Sequence, residues 1–155
     1  MAKICDHTSV GMLVWKDEKL LLIERMKFPP GFAVPAGHVD EDPTYEDAAK
    51  RELKEEVGLD AENMELVLEI KMQNPCRREG GTWHNWKIYQ VKTLGDINRS
   101  KDETKQAGWH TKDQIKELAR RTEKYLNKEI SDEEFTQKPG LEPVMYELFK
   151  EMKMI

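Results

Sequence analysis

Cysteine is scarce in this chain: 155 residues contain two, Cys5 and Cys76, and no CxxC pair. That excludes a disulfide-stapled scaffold. It also leaves Cys5 and His7 without a second pair at zinc-ligand spacing, so both thiols read as reduced. Long apolar runs are missing as well. A run such as Leu20 to Ile23 is far too short to cross a bilayer, and the N-terminus lacks the apolar segment of a signal peptide, so the expected location is the cytoplasm, with no membrane partner. Positive charge is not in excess: the formal charge is −5. Counterion release needs a basic surface, so no nucleic acid is expected as an obligatory partner, although a nucleotide arriving with its own cation fits. There is no internal repeat and no low-complexity linker. With 35% charged and 38% hydrophobic residues, the chain reads as a soluble protein with one core, a single domain over residues 1–155.

What the chain does have is concentrated in residues 37–59, GHVDEDPTYEDAAKRELKEEVGL. Thr44 is placed as an N-cap with Asp47 three residues on, a shorter stand-in for the Glu of a capping box. Ala48, Ala49 and Leu53 favour a helix, and Gly58 ends it. On that helix Glu52, Glu55 and Glu56 share one face, because positions three and four apart are neighbours. Two carboxylates about 4 Å apart repel by roughly 1 to 4 kcal/mol, depending on the surrounding water. A hard divalent cation with oxygen ligands converts that repulsion into binding; without one, at least one carboxyl is expected to titrate high. An acidic helix face that merely meets water is the plain alternative for such a cluster.

The residues around the cluster decide between the two. Gly37 followed at fixed distance by Arg51-Glu52-Leu53-x-Glu55-Glu56-x-Gly58-Leu59 resembles the signature of the Nudix hydrolase family. The run Pro35-Ala36-Gly37-His38-Val39-Asp40 is similar to the loop that enters the family's box. One element departs: the family has a Glu six residues after its Gly, and Pro43 stands there, with Glu41 and Asp42 beside it as substitutes. The resemblance implies hydrolysis of a nucleoside diphosphate linked to a further moiety X. It implies Gly37 (through its carbonyl), Glu52, Glu55 and Glu56 as metal ligands, Mg²⁺ or else Mn²⁺ as the ion, and Arg51 as the residue that orients a box glutamate. Glu55 is a candidate base, and Glu103, shortly before Trp109, a candidate further ligand or general base. Glu56 is expected to be exposed, so that its replacement spares folding.

The remaining chain supplies a frame. Val10–Trp15, Lys19–Arg25, a short Phe32–Pro35 piece, Met64–Met72, Trp83–Thr93 and Ala107–His110 read as strands. Lys112–Leu126 reads as a helix with an apolar stripe of Ile115, Leu118, Ala119, Thr122 and Leu126. Ser131 to Glu134 has the form of a capping box, and Pro143 opens a terminal helix with Val144, Leu148 and Met152 on one face. These elements make an α/β fold, and the resemblance implies a Nudix-like α/β/α sandwich with a mixed sheet and extra C-terminal helices.

Substrate identity is less defined. Trp83, Trp86 and Tyr89 either stack on a base or pack within a strand. Arg25, Arg77, Arg78 and Lys87 either receive phosphates or are surface charge. Leu141-Glu142-Pro143-Val144 is similar to a segment of MutT-type enzymes that carries an Asn where Leu141 stands; without that amide, specificity for oxidised guanine is weakened. The leading expectation is a Mg²⁺-dependent hydrolase of a nucleoside triphosphate or nucleotide sugar. The alternatives are a catalytically weak Nudix-fold module that senses a nucleotide or binds a protein, and removal of pyrophosphate from RNA ends. A homodimer would follow family habit, but no residue decides it.

Overall fold

The computed structural model describes residues 3–155. Eight strands and four helices alternate along it: β1 (Thr8–Leu13), β2 (Trp15–Lys16), β3 (Lys19–Arg25), β4 (Phe32–Ala33), β5 (Ala36–Gly37), α1 (Tyr45–Val57), β6 (Asp60–Met72), β7 (His84–Leu94), β8 (Thr104–His110), α2 (Lys112–Leu126), α3 (Asp132–Gln137) and α4 (Pro143–Glu151). They build two sheets. The first, ordered β5-β1-β7-β6, is mixed: β1 runs parallel to β7 with Thr8 opposite Asn85, and antiparallel to β5. The second is antiparallel, with β3 at its centre between β2 and β4 on the one hand and β8 on the other.

Period-two alternation divides the core. On β3, Leu20 and Leu22 enter a cluster with Ile115, Val144, Leu148 and Phe149 from α2 and α4, whereas Leu21 and Ile23 enter a second cluster with Ala48, Ala49, Leu53 and Val57 from α1. All four β3 side chains are buried, so the strand is covered on both faces. Helices therefore flank the strands on two sides, the expected sandwich. Gly11 on β1 permits close packing, since a Cβ there would lie 2.8 Å from Ile88 Cδ1.

Local signals account for the boundaries. Thr44 Oγ1 accepts from the Asp47 N–H at 3.0 Å, and Gly58, in the left-handed region at φ 73°, closes α1 by donating to Leu53 and Lys54 carbonyls. Reciprocal capping boxes open α2 (Thr111 with Gln114) and α3 (Ser131 with Glu134), and Pro143 occupies the first turn of α4.

The structure differs from the sequence reading in several places, among them the start of β8 at Thr104 in place of Ala107 and the unpredicted β5. The first strand ends at Leu13, and Trp15 pairs instead with Leu20 across a two-residue turn at Asp17 and Glu18, both at positive φ. The strand expected from Met64 begins at Asp60. Leu126, expected in the apolar stripe of α2, is 45% exposed, because the helix has left the core by its last turn and Tyr125 stacks on Phe135 instead.

The C-terminal region closes one side. Phe32 N–H donates to Gly140 O and Glu142 N–H donates to Phe32 O, both at 2.8 Å, which carries the segment before α4 along the edge of β4.

Candidate active site

Helix α1 lies against β1 and β5, and this packing brings its inner face to the end of the first sheet. A cavity of about 230 Å³ opens there, lined among others by Gly37, Glu52, Glu56, Glu103, Glu142 and Arg77. Glu52 and Glu56 enter it from successive turns. Both are buried, at 9% and 5% exposure, which corrects the expectation that Glu56 is exposed. Glu55 points away: its side chain is half exposed on the rim and does not line the cavity. The helical period turns it about 100° from Glu56, enough to move it from wall to rim.

Burial pushes the Glu56 carboxyl well above the usual carboxylate range, and the charge and hydrogen bond of Glu52 push it further. Burial raises Glu52 too, but its hydrogen bond with Glu56 and the Arg51 charge draw it partly back. The two carboxyls thus resist ionising together when no cation is near, Glu56 the more strongly. The Ala36 N–H donates to Glu56 Oε1 at 3.1 Å and fixes the other side of that carboxyl.

Arg51 organises the rim. Its Nε donates to Asp42 Oδ2 at 2.7 Å, Nη1 to Glu52 Oε1 at 2.9 Å and Glu55 Oε2 at 3.2 Å, and Nη2 to the His38 carbonyl at 2.9 Å. Partial burial works against its charge, yet Asp42 and Glu52 outweigh this and hold the guanidinium ionised. Asp42 thereby meets the guanidinium from within the loop where Pro43 departs from the signature. Gly37 is needed for space, because a Cβ at that position would collide with the Glu52 carboxylate. This cradle of two buried acidic groups against a bare backbone fits a small hard cation with oxygen ligands.

Glu103 lines the same cavity from the opposite loop. That loop is tied to the end of α1, with Asn98 N–H donating to Val57 O and Ser100 N–H to Glu56 O, while Met26 N–H donates to Glu103 O. Arg25, Lys27, Arg77 and Arg78 add a basic wall. Arg25 pairs with Glu142 at 3.0 Å, and Arg78 makes a two-point pair with Asp40. Lys87 lies over the Tyr45 ring, away from the cavity.

Of the three aromatic candidates, Trp86 alone reaches the cavity, buried and donating through Nε1 to Asn74 Oδ1 at 3.1 Å. Trp83 is stacked on His7, and Tyr89 is a core residue whose hydroxyl donates to Glu46. Two further lining residues are not among the sequence-based site candidates. Phe28 is 55% exposed at the mouth, and Glu142, 4% exposed, is raised by burial and partly restored by Arg25. In the sequence the Leu141-Glu142-Pro143-Val144 segment bears on base specificity at Leu141 and on a helix start, yet Leu141 is fully buried and it is Glu142 that lines the cavity.

The comparisons agree with this architecture. The NUDIX domain family model matches residues 6–130. No curated protein matches the chain significantly. Among solved structures, the chain is similar to a MutT NUDIX hydrolase from Burkholderia pseudomallei, with 24% identity and a TM-score of 0.61 over 69% of this chain and 84% of that one. It is also similar to a NUDIX hydrolase from Nitrosomonas europaea, with 18% identity and a TM-score of 0.67 over 95% and 88%. The NUDIX domain of Shewanella oneidensis NrtR, solved with ADP ribose, shares 17% identity and a TM-score of 0.58 over 76% and 78%. These identities carry the fold alone; the family model, matching most of the sequence, carries membership. The chain belongs to the Nudix family and is a pyrophosphohydrolase of the Nudix type.

Proposed function

We propose that this protein hydrolyses a phosphoanhydride bond in a nucleoside diphosphate linked to X, with Mg²⁺ as its ion and a nucleoside triphosphate or nucleotide sugar as its substrate. The observation that carries the reading is the buried Glu52 and Glu56 pair set against Gly37 in a cavity with a basic wall. Glu52, Glu56 and the Gly37 carbonyl would hold the ion, with Glu55 joining from the rim. Mn²⁺ would suit the same oxygens. When bound, the ion supplies neutralisation of phosphate charge and activation of water for attack.

The chain's own residues do the rest. Arg51 holds Glu52 in register through a planar fork that a lysine cannot reproduce. Glu103, which lines the same cavity, would accept the proton of the attacking water. Arg77 and Lys27, exposed at the mouth, would take the phosphates that do not react. Phe28 and Trp86 offer the apolar surface a base requires. The Asp42 to Arg51 bond supplies loop support despite Pro43, which favours an enzyme over a catalytically weak module.

Mass-spectrometric product identification, with Mg²⁺, across triphosphates, nucleotide sugars, dinucleotides and ADP ribose tests the reading. Glu56→Gln is the control. One substrate should be cleaved far faster than the rest, and the variant should lose at least about a hundredfold in rate, close to 2.7 kcal/mol of barrier. Full turnover by Glu56→Gln would overturn the assignment of the ion to this pair.

A further inference from the structure

Both cysteines and two of the four histidines of this chain meet at one point in the wall of the cavity, which His38, Cys76 and His84 line. Cys5 precedes β1, His38 directly follows Gly37, Cys76 lies in the connection between β6 and β7, and His84 opens β7. One donor atom from each lies within 4.8 Å of the others. Cys5 Sγ stands 3.6 Å from His38 Nε2 and 3.4 Å from His84 Nε2. In a tetrahedral zinc centre, bonds of about 2.3 Å to sulfur and about 2.0 to 2.1 Å to nitrogen give a sulfur-to-nitrogen edge of about 3.5 Å. Two edges of such a tetrahedron are therefore already at length.

The surroundings suit thiolates. The His7 N–H donates to Cys5 Sγ at 3.3 Å and the Arg78 N–H to Cys76 Sγ at 3.4 Å, so each sulfur receives the amide two residues on. Such donors favour the charged form. A Cβ at Gly81 would collide with Cys76 Sγ, so the turn that presents this sulfur needs a bare backbone. Burial, followed for His38 by the Arg78 charge, keeps both imidazoles neutral at pH 7. His84 Nδ1 is buried with no hydrogen bond of ordinary geometry among the described residues, although the Asn74 backbone is near enough to affect its titration. Burial and the neighbouring Cys76 both raise the Cys5 thiol, a repulsion that a shared cation would relieve.

We propose that Cys5, His38, Cys76 and His84 form a Cys₂His₂ site for a borderline-soft divalent cation, Zn²⁺, separate from the carboxylate site on α1. Binding expels the two thiol protons and uses a lone pair of each neutral ring, so the centre carries no net charge. It ties four segments together: the chain before β1, the loop after Gly37, the Cys76–Gly81 turn and the start of β7. Arg51 grips the His38 backbone from the other side, so the ion also anchors one support of the acidic pair. Four ligands close the site, as in structural rather than catalytic zinc centres.

Metal analysis of the full chain, purified under reducing conditions and titrated with Zn²⁺, tests the site without any assay of turnover. One Zn²⁺ per chain is expected, retained in Glu56→Gln and lost in Cys76→Ser. Co²⁺ in its place should give the ligand-field bands of a tetrahedral ion with thiolate charge transfer. Should Cys76→Ser fail to fold, the wild-type Co²⁺ spectrum and the fall of the thermal midpoint on chelation, reversed by Zn²⁺ but not by Mg²⁺, still decide. No bound zinc, an octahedral Co²⁺ spectrum, or zinc lost in Glu56→Gln would each overturn the proposal.

Discussion

Arg51 holds four oxygens from three stretches of chain: Asp42, the His38 carbonyl, and Glu52 with Glu55. An ammonium could satisfy one or two of these. On the proposed reading, Arg51→Lys should therefore raise the half-saturating Mg²⁺ concentration of activity by about 10 to 100-fold, the usual cost of losing a support of a metal ligand. Pro43→Glu, by contrast, should leave turnover within about twofold, because Asp42 already occupies the guanidinium; a large gain in a side-by-side assay would show that Asp42 is an inadequate substitute. The arginine and glutamates were legible in the sequence because they sit on one helix at fixed spacing. Glu142 was not, since its place opposite Arg25 depends on a segment more than a hundred residues further along the chain. Its folded carboxyl titrates above its unfolded value, so its contribution to stability is full at acid pH and lost as the pH rises through the raised value. Glu142→Gln has no proton to lose there. The thermal midpoint of the variant minus that of wild type should climb from acid to neutral pH, and a flat difference would contradict the sign.

Helix α1 carries both its own start and its own stop. Thr44→Ala removes the acceptor for the Asp47 N–H and should cost about 1 kcal/mol in denaturant unfolding. Gly58→Ala forces a side chain into a left-handed conformation, where a Cβ would also lie 2.9 Å from Asn98 Cβ. It should cost more than the roughly 1 kcal/mol of the conformational term alone, and it should loosen the loop that carries Glu103. Caps and helical stripes could be read in advance because they involve neighbours three or four residues apart. The parallel pairing of β1 with β7 could not, because no local pattern chooses a partner nearly eighty residues away. The Cys5, His38, Cys76 and His84 cluster was hidden for the same reason. Spacing along the chain argued only against a zinc pair at Cys5 and His7, and the grouping of these four emerges once the sheet brings them together.

The two faces of β3 connect the halves of the molecule. Leu21 and Leu22 are adjacent in sequence, fully buried, and belong to opposite clusters. Leu21→Ala and Leu22→Ala should each cost about 2 to 5 kcal/mol in equilibrium unfolding. A sheet with one wet face would penalise only one of them, so a large difference between the two would contradict a core on both sides.

The segment that bridges Phe32 to Leu141 lies beyond residue 130, where the family match ends. A boundary drawn by similarity and a boundary drawn by packing therefore disagree. A chain shortened to the matched region would surrender Val144, Met145, Leu148 and Phe149, leave Leu20 and Leu22 facing water, and orphan Arg25. The folded unit therefore extends past the residues that the family model matches, and any shortened version has to keep α4 and the segment that precedes it.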